Sequence, residues 1–258
     1  MNISYSLQRY AWKAVDWLYP PSCAGCGKSN WRFCPDCLSR VELVPLDRCI
    51  FCGKRHTPHH ANCAQFTDLP MFFSAAASWA VYKGELREAI HALKFRQDLA
   101  LGEFFSKFLI QLLDKTNWDF DMVIPVPLSR TRLKERTFNQ SALLSRPIAA
   151  YYLVEHSQSP LKRIIDTGSQ VSRTRVERNN ALEDAFLGNP AKLKGRKVLL
   201  VDDIITTGAT INHCASALKQ AGAHEVFTIS VAKTPKTNKV IDIDRLPDQN
   251  KLFGGNNG

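Results

Sequence analysis

The stretch VLLVDDIITTGAT, at residues 198–210, constrains the fold of this chain more than any other part of it. It opens with an apolar run at 198–201 that lacks alternation, which predicts a strand buried in a parallel sheet. Asp202 and Asp203 follow at the end of that strand, where open α/β sheets bind their ligands. The amphipathic residues 211–221 end before Gly222, as a helix with a C-terminal glycine does. The stretch therefore predicts a strand, an acidic loop and the start of a helix.

Strand-like and helix-like segments alternate along the rest of the chain. Apolar runs predict strands at 75–84, 122–126, 163–166 and 225–232, and apolar residues at helical spacing predict helices at 85–95 and 101–114. Such alternation is typical of a parallel sheet that is covered by helices on both faces. We therefore expect an α/β fold.

The cysteines are concentrated near the N-terminus, where seven of the eight lie between residues 23 and 63. In a reducing compartment such clustering favours a metal site over disulfides. Six of them form three C-x-x-C pairs, and two facing pairs complete a tetrahedral zinc site. Because residues 20–66 contain so few apolar side chains, we expect this segment to need the metal to stay folded. The first two pairs supply one zinc site: Cys23, Cys26, Cys34 and Cys37.

A second zinc site is less regular. Its ligands would be Cys49, Cys52 and Cys63, because Phe66 occupies the position of a fourth C-x-x-C cysteine. One interpretation takes the fourth ligand from three nearby histidines, which also suit a solvated loop. Another leaves the second site without metal, and a third combines the first and third C-x-x-C pairs into a single site. The histidines are His56, His59 and His60.

The chain is basic, with a formal net charge of +10. Such a charge favours an anionic partner, either nucleic acid or a phosphorylated small molecule, although it also aids solubility. No window approaches the ~18 uninterrupted apolar residues of a membrane span, so we expect no membrane insertion. The first 21 residues are interrupted by Arg9, Lys13 and Asp16 and lack the apolar core of a signal peptide. These features predict a cytoplasmic protein.

The loop after the two acids has the chemistry of a phosphate site. Its backbone amides, its hydroxyls and the start of the following helix suit a phosphate monoester, and Gly208 permits close approach. Two acids beside a phosphate would repel it unless another group lies between them. The vicinal hydroxyls of a sugar, with Mg²⁺ nearby, fit that role because carboxylates accept hydrogen bonds from hydroxyls. The predicted phosphate loop comprises Thr206, Thr207, Gly208, Ala209 and Thr210.

Two further segments are rich in cations. A basic cluster directly after the strand at 122–126 is well placed for an anion, or is an ordinary solvated loop that enters a helix. Residues 170–180 are polar, basic and without periodicity, which predicts a mobile loop. The first cluster consists of Ser129, Arg130, Arg132, Lys134 and Arg136.

These motifs resemble a known family. VLLVDDIITTGAT is similar to the phosphoribosyl pyrophosphate (PRPP) motif of type I phosphoribosyltransferases. YPPSCAGCG, YKGELREAIHALKF and PVPLSRTRLKERTFNQ precede it in the order of the ComF family, and the resemblance covers residues 18–234. Thr137 departs from the family pattern, which usually has glycine there, and Phe66 departs from it at the second zinc site. The resemblance implies a parallel-sheet type I phosphoribosyltransferase fold preceded by a small zinc-ribbon module.

The resemblance also implies boundaries and residue roles. We expect an N-terminal lead-in at 1–19, a zinc ribbon at 20–68, a phosphoribosyltransferase domain at 72–234 and a polar tail at 235–258. Asp202 and Asp203 would bind the ribose hydroxyls, directly or through Mg²⁺, and the loop at 206–210 would hold the 5′-phosphate. Arg130 and Arg132 would meet the pyrophosphate. A closing loop would include Arg173, Arg175 and Arg178.

Three functional interpretations compete. In the first, the protein transfers phosphoribosyl groups to an unidentified acceptor and supports DNA uptake in natural transformation. In the second, it is a PRPP sensor or scaffold that binds single-stranded DNA and a helicase-like competence partner. Trp31, Phe33 and Phe51 would then stack on bases, or they form the small core of the zinc module. In the third, LLVDD opens a response-regulator receiver domain, but too little chain follows Asp203 to complete one.

Overall fold

A computed structural model describes residues 20–51, 70–96, 98–165 and 185–235. The predicted lead-in, the basic loop at 170–180 and the tail from 236 onward lie outside these residues, as do Cys52, Cys63 and the three histidines. The helices are α1 (Pro35–Ser39), α2 (Gly84–Phe95), α3 (Ala100–Leu113), α4 (Arg130–Arg136), α5 (Gln140–Tyr152), α6 (Pro190–Leu193) and α7 (Ala209–Gln220). The strands are β1 (Ala75–Val81), β2 (Met122–Pro125), β3 (Glu155–His156), β4 (Leu161–Arg163), β5 (Phe186–Gly188), β6 (Lys197–Ile205) and β7 (Glu225–Lys233).

Five strands form a parallel sheet in the order β1-β7-β6-β2-β3, which confirms the predicted fold class. The central strand β6 is buried along nearly its whole length, as its branched apolar residues require. Helices α2, α3 and α5 contribute to an apolar core on one face, and α6 and α7 contribute to a core on the other. The sheet is therefore the middle layer of three.

The strand order places a topological switch point between β2 and β6. From β2 the chain moves outward to β3, whereas from β6 it moves outward in the opposite direction to β7. The carboxyl ends of β2 and β6 therefore border a crevice, which is where ligands bind in open α/β sheets. Asp202 and Asp203 lie at this position, just beyond the last pair between the two strands, Pro125 with Val201.

Two predicted elements differ from those observed. The strand expected at 163–166 is β4 (Leu161–Arg163), and it pairs antiparallel with β5 outside the main sheet. The acids, expected in a loop, lie within β6, because the neighbouring β7 continues far enough to pair Asp202 with Ser230.

The described part of the cysteine module packs directly on the α/β layers. Its segment 42–44 pairs antiparallel with the outer edge of β1, through hydrogen bonds from Val44 N to Trp79 O (3.0 Å) and from Val81 N to Glu42 O (2.8 Å). The module thereby covers a strand edge that would otherwise expose unpaired backbone groups. Phe33 lies in the main core against the rings of Phe104 and Phe105.

Within the four described ranges, no helix is both long and apolar enough to cross a membrane.

Candidate functional site

The acidic pair at the end of β6 is deeply buried. The exposed fractions of Asp202 and Asp203 are 9% and 3%. Asp202 Oδ1 accepts hydrogen bonds from Ser141 Oγ at 3.1 Å and from the backbone N–H of Asp203 at 2.9 Å. Burial, followed by the charge of Asp203, raises the pKa of Asp202 to about 7. The site therefore holds two adjacent carboxylates in a position where their charge is poorly solvated.

Lys94, at the end of α2, supplies a positive charge to this pair. Its ammonium lies 3.2 Å from Asp203 Oδ2, and both side chains are largely buried. The ion pair does not have hydrogen-bond geometry, so Asp203 Oδ2 is buried without accepting a hydrogen bond from the described residues. The ammonium of Lys94 is therefore the positively charged group beside this oxygen among the described residues.

The predicted phosphate loop leads from β6 into α7. Gly208 is the N-cap of α7 and has a φ of 85°, a left-handed conformation that favours glycine. The first backbone N–H groups of a helix have no partner within the helix, and Gly208 has no side chain to cap them, although Ala209 N donates to Thr207 Oγ1 at 3.4 Å. Thr206 and Thr207 are exposed, and Thr210 is half-buried in the first turn. The loop thus offers N–H groups, hydroxyls and the positive end of a helix dipole beside the acids.

The cations after β2 lie on a helix rather than in a loop. Ser129 caps α4 by accepting a hydrogen bond from Arg132 N, and Arg130 begins the helix. Since β2 and β6 are parallel neighbours, α4 starts at the same edge of the sheet as the acidic pair. Toward its end, the guanidinium of Arg136 stacks on Phe95, the residue after Lys94, at 4.9 Å from the ring centroid.

The sequence analysis missed two of the residues that contact the acids. Lys94 is a basic residue in the last turn of an amphipathic helix, and Ser141 is a small polar residue inside α5. Both positions are ordinary for their residue types, and their contacts with Asp203 and Asp202 join distant parts of the chain. Only the ComF-like segments that contain or adjoin them offered a signal, YKGELREAIHALKF and the end of PVPLSRTRLKERTFNQ.

The first two C-x-x-C pairs form a compact cluster whose four sulfur atoms all lie within 4.8 Å of one another. The Cys23–Cys37 and Cys26–Cys34 sulfur separations are 3.7 and 3.6 Å. A tetrahedral site with Zn–S bonds of about 2.3 Å needs separations of roughly 3.8 Å, so these residues fit a zinc ion. The structure thus favours this combination over a site shared with the third pair.

At Cys23 the cluster favours the thiolate form that zinc requires. Burial alone would raise the pKa of Cys23, but backbone N–H donors from Cys34, Cys26 and Gly25 outweigh it and lower the pKa to about 6. Burial, with hydrogen bonds that its thiol donates to the neighbouring sulfur atoms and with the charge of Cys23, raises the pKa of Cys37 well above its usual range.

The second zinc site is described only through Cys49, which is half-buried and accepts a hydrogen bond from Phe51 N at 3.4 Å. Cys52 and Cys63 lie outside the described residues. Of the aromatics weighed as stacking platforms, Phe33 and Phe51 are buried in the cores, whereas Trp31 is exposed. The two phenylalanines therefore serve packing rather than base stacking.

Comparisons with known proteins agree with this architecture. The family described as "Phosphoribosyl transferase domain" matches residues 158–253, and the one described as "Double zinc ribbon domain" matches residues 14–67. "DNA utilization protein YhgH" of Shigella flexneri is 29% identical over 211 residues, which are 80% of this chain and 92% of the relative. "Competence protein ComFC" of Streptococcus pneumoniae is 28% identical over 78% of this chain and 87% of the relative. "Competence protein F" of Haemophilus influenzae is 24% identical over 78% of this chain and 90% of the relative.

Both domain types occur here in the order predicted from the sequence, and the relatives are matched along nearly their whole length. The chain therefore carries a phosphoribosyl transferase domain that follows a double zinc ribbon domain, and it is similar over most of its length to proteins named for competence and DNA utilization.

Proposed function

We propose that this protein binds PRPP with Mg²⁺ at the carboxyl ends of β2 and β6, and that it transfers the phosphoribosyl group to an acceptor in support of DNA uptake. The observation that carries the proposal is the buried pair Asp202 and Asp203 in β6, which the four residues 204–207 connect to a helix N-terminus capped by left-handed Gly208. This combination provides acceptors for sugar hydroxyls and donors for a phosphate at one edge of the sheet.

The acidic pair fits the ribose and its associated cation. Carboxylate oxygens accept hydrogen bonds from hydroxyls and are also the ligands that Mg²⁺ prefers. Asp203 Oδ2 is buried without a hydrogen-bond donor among the described residues, which is the state expected of an atom that binds a ligand. Mg²⁺, when bound with PRPP, would neutralise charge on the departing pyrophosphate.

The transfer step needs positive charge where pyrophosphate leaves. In this reaction the bond between the anomeric carbon of the ribose and the pyrophosphate oxygen breaks while the acceptor's nucleophile forms a bond to that carbon. We assign Arg130 and Arg132 to the pyrophosphate because α4 starts at the edge of the sheet that holds the acids. Preorganised cations of this kind stabilise the charge that develops in the transition state.

The role in DNA uptake is supported by the relatives, whose names include "Competence protein ComFC" and "DNA utilization protein YhgH". A cytoplasmic location forms part of this proposal, because zinc-bound cysteines persist in a reducing compartment. A second candidate function uses the same site as a PRPP sensor or scaffold that binds single-stranded DNA and a helicase-like partner. The net charge of +10 favours it, since phosphate contacts need lysine and arginine.

Calorimetric titration of PRPP with Mg²⁺ tests the site. The wild-type protein should bind, and the double substitution Asp202→Asn with Asp203→Asn should lose most of the affinity. Asp119→Asn provides a matched control, since Asp119 is an exposed acid that precedes β2 at the opposite edge of the sheet. Equal affinity of the double variant and the wild type would refute the ribose-binding role.

Pyrophosphate release separates the two candidate functions. Slow release from bound PRPP, accelerated by an acceptor, supports transfer, whereas binding without release supports the sensor or scaffold. In the second case, labelled single-stranded DNA should bind at low salt, with an affinity that falls steeply as the salt concentration rises. A flat salt response would exclude phosphate contacts.

A further inference from the structure

Lys94 occupies an unusual position for a lysine. It lies in the last turn of α2, its side chain is only 12% exposed, and its ammonium is 3.2 Å from Asp203 Oδ2. The desolvation penalty of burying an ammonium and a carboxylate can exceed the Coulombic attraction between them. Such a pair therefore contributes little to the free energy of folding. A contact of this kind at a candidate ligand site therefore calls for a functional explanation.

The acidic pair needs a compensating charge. Asp202 and Asp203 are adjacent in β6 and both buried, so their like charges repel in a poorly solvated environment. Within the described ranges, Lys94 is the cation that forms an ion pair with either carboxylate. Asp202 is instead held by hydrogen bonds from Ser141 Oγ and a backbone N–H. The two carboxylates are thus stabilised by different groups: Asp202 by hydrogen bonds, and Asp203 by its ion pair with Lys94.

The surroundings of Lys94 fix its position. Phe95, the next residue, is covered by the guanidinium of Arg136 from α4. Just past the end of α2, Asp98 accepts a hydrogen bond from Arg32 of the cysteine module at 2.8 Å. These contacts hold the end of α2 from two sides. They therefore restrict the movement of the helix end that carries the Lys94 ammonium.

We propose that Lys94 is a positioning residue, which compensates for the charge of Asp203 and holds its Oδ2 atom in place to accept a hydrogen bond from a ribose hydroxyl. The inference rests on the proposed function and assigns one further residue to the same site. Lys94 acts through Asp203, so its contribution to PRPP binding requires the Asp203 carboxylate.

A double-mutant cycle tests this dependence. PRPP with Mg²⁺ is titrated calorimetrically into the wild type, Lys94→Met, Asp203→Asn and the double variant. Lys94→Met should weaken binding about tenfold or more, which is the size of effect expected when a buried charge loses its partner. In the Asp203→Asn background the same substitution should have little further effect, and Lys94→Arg should restore much of the wild-type affinity.

Controls separate a specific loss from general damage. Lys107→Met makes the same chemical change at an exposed lysine of α3 and should leave PRPP affinity unchanged. Zinc content and the melting temperature should be measured for every variant. Ribose 5-phosphate and inorganic pyrophosphate serve as partial probes: Lys94→Met should weaken binding of the sugar phosphate and leave binding of pyrophosphate unchanged.

Each other outcome overturns the inference in a distinct way. If Lys94→Met strengthens PRPP binding, the ammonium competes with the ligand. If Lys94→Met still weakens PRPP binding in the Asp203→Asn background, and also weakens the binding of pyrophosphate, Lys94 binds the pyrophosphate directly. Unchanged affinity in Lys94→Met with intact wild-type binding refutes the role of Lys94 alone, whereas a wild-type protein that binds no PRPP refutes the proposed function and this inference together.

Discussion

The buried acid Asp202 should make the folded protein less stable at neutral pH than it would be with a neutral side chain. Burial and the charge of Asp203 raise its pKa from the ordinary 3.8 to about 7. Well below pH 3.8 the side chain is neutral in both the folded and the unfolded chain. As the pH rises from about 4 to 7, the unfolded chain ionises first, so the folded state loses stability until both states are ionised.

The size of this effect follows from the two pKa values. The interval from 3.8 to about 7 corresponds to about 4 kcal/mol of stability lost by pH 8. Asp202→Asn removes the charge but keeps an oxygen that can accept from Ser141 Oγ and from the backbone N–H of Asp203. Between pH 5.5 and 7 the stability advantage of the asparagine variant should therefore grow by about 2 kcal/mol.

Thermal unfolding at pH 5.5, 7 and 8 in the presence of zinc measures the difference. For a chain of this size, the melting temperature of Asp202→Asn relative to wild type should rise by about 4–8 °C between pH 5.5 and 7 and then remain level. Asp119→Asn, at an exposed acid, should show no such trend. A constant difference at all three pH values would refute the reasoning from the buried charge, as would a variant that becomes relatively less stable as the pH rises.

Three further predictions concern stability and metal content. Metal analysis after purification under reducing conditions should find at least one zinc ion per chain. Cys34→Ser should lose the zinc ion of the four-cysteine cluster, whereas Cys214→Ala, outside the cluster, should keep it. Unchanged zinc in Cys34→Ser would contradict the four-cysteine site. Gly102→Ala should cost about 1–3 kcal/mol in denaturant unfolding, because its Cβ would lie 2.6 Å from Leu143 Cβ; no loss would show that α3 and α5 can separate freely. Thr137→Gly should raise the melting temperature, since Thr137 has a φ of 65° and glycine relieves a strain of roughly 1 kcal/mol; a lower melting temperature would contradict that backbone strain.

Local sequence patterns predicted the elements that carry the site. The apolar run before Asp202 predicts β6, and the amphipathic residues before Gly222 predict α7. The cysteine spacing predicted the cluster in the same way, because a C-x-x-C pair determines its own local geometry. These features depend on neighbouring residues, which the sequence shows directly.

Contacts between distant residues could not be predicted in this manner. The pairs Lys94 with Asp203 and Ser141 with Asp202 depend on the packing of α2 and α5 against the sheet. The sequence interpretation of the segment that carries Arg130 was a basic loop, either an anion site or a solvated loop that enters a helix. Ser129 was available as a capping residue, and the residues after it are good helix formers.

Thr137 lies at a position where the backbone conformation favours glycine. The ComF-like pattern usually has glycine at this position. Thr137 is the C-cap of α4 in a left-handed conformation, which glycine adopts without strain. The hydroxyl of Thr137 donates a hydrogen bond to the carbonyl of Arg136 at 2.6 Å. The threonine therefore adopts this conformation at the expense of local strain.

The cysteine module and the acidic pair are connected through α2. Near the start of this helix, Glu85 accepts a hydrogen bond from Arg40 at 2.5 Å, and just past its end Asp98 pairs with Arg32. Exposed ion pairs contribute little energy, but Phe33 of the module packs in the same core as α2, against Phe104 and Phe105, and contributes more. A zinc ion that orders the module would therefore also order α2, and with it the ammonium of Lys94 beside Asp203. We therefore expect the position of Asp203, the proposed ribose-binding carboxylate, to depend on zinc binding in the cysteine module.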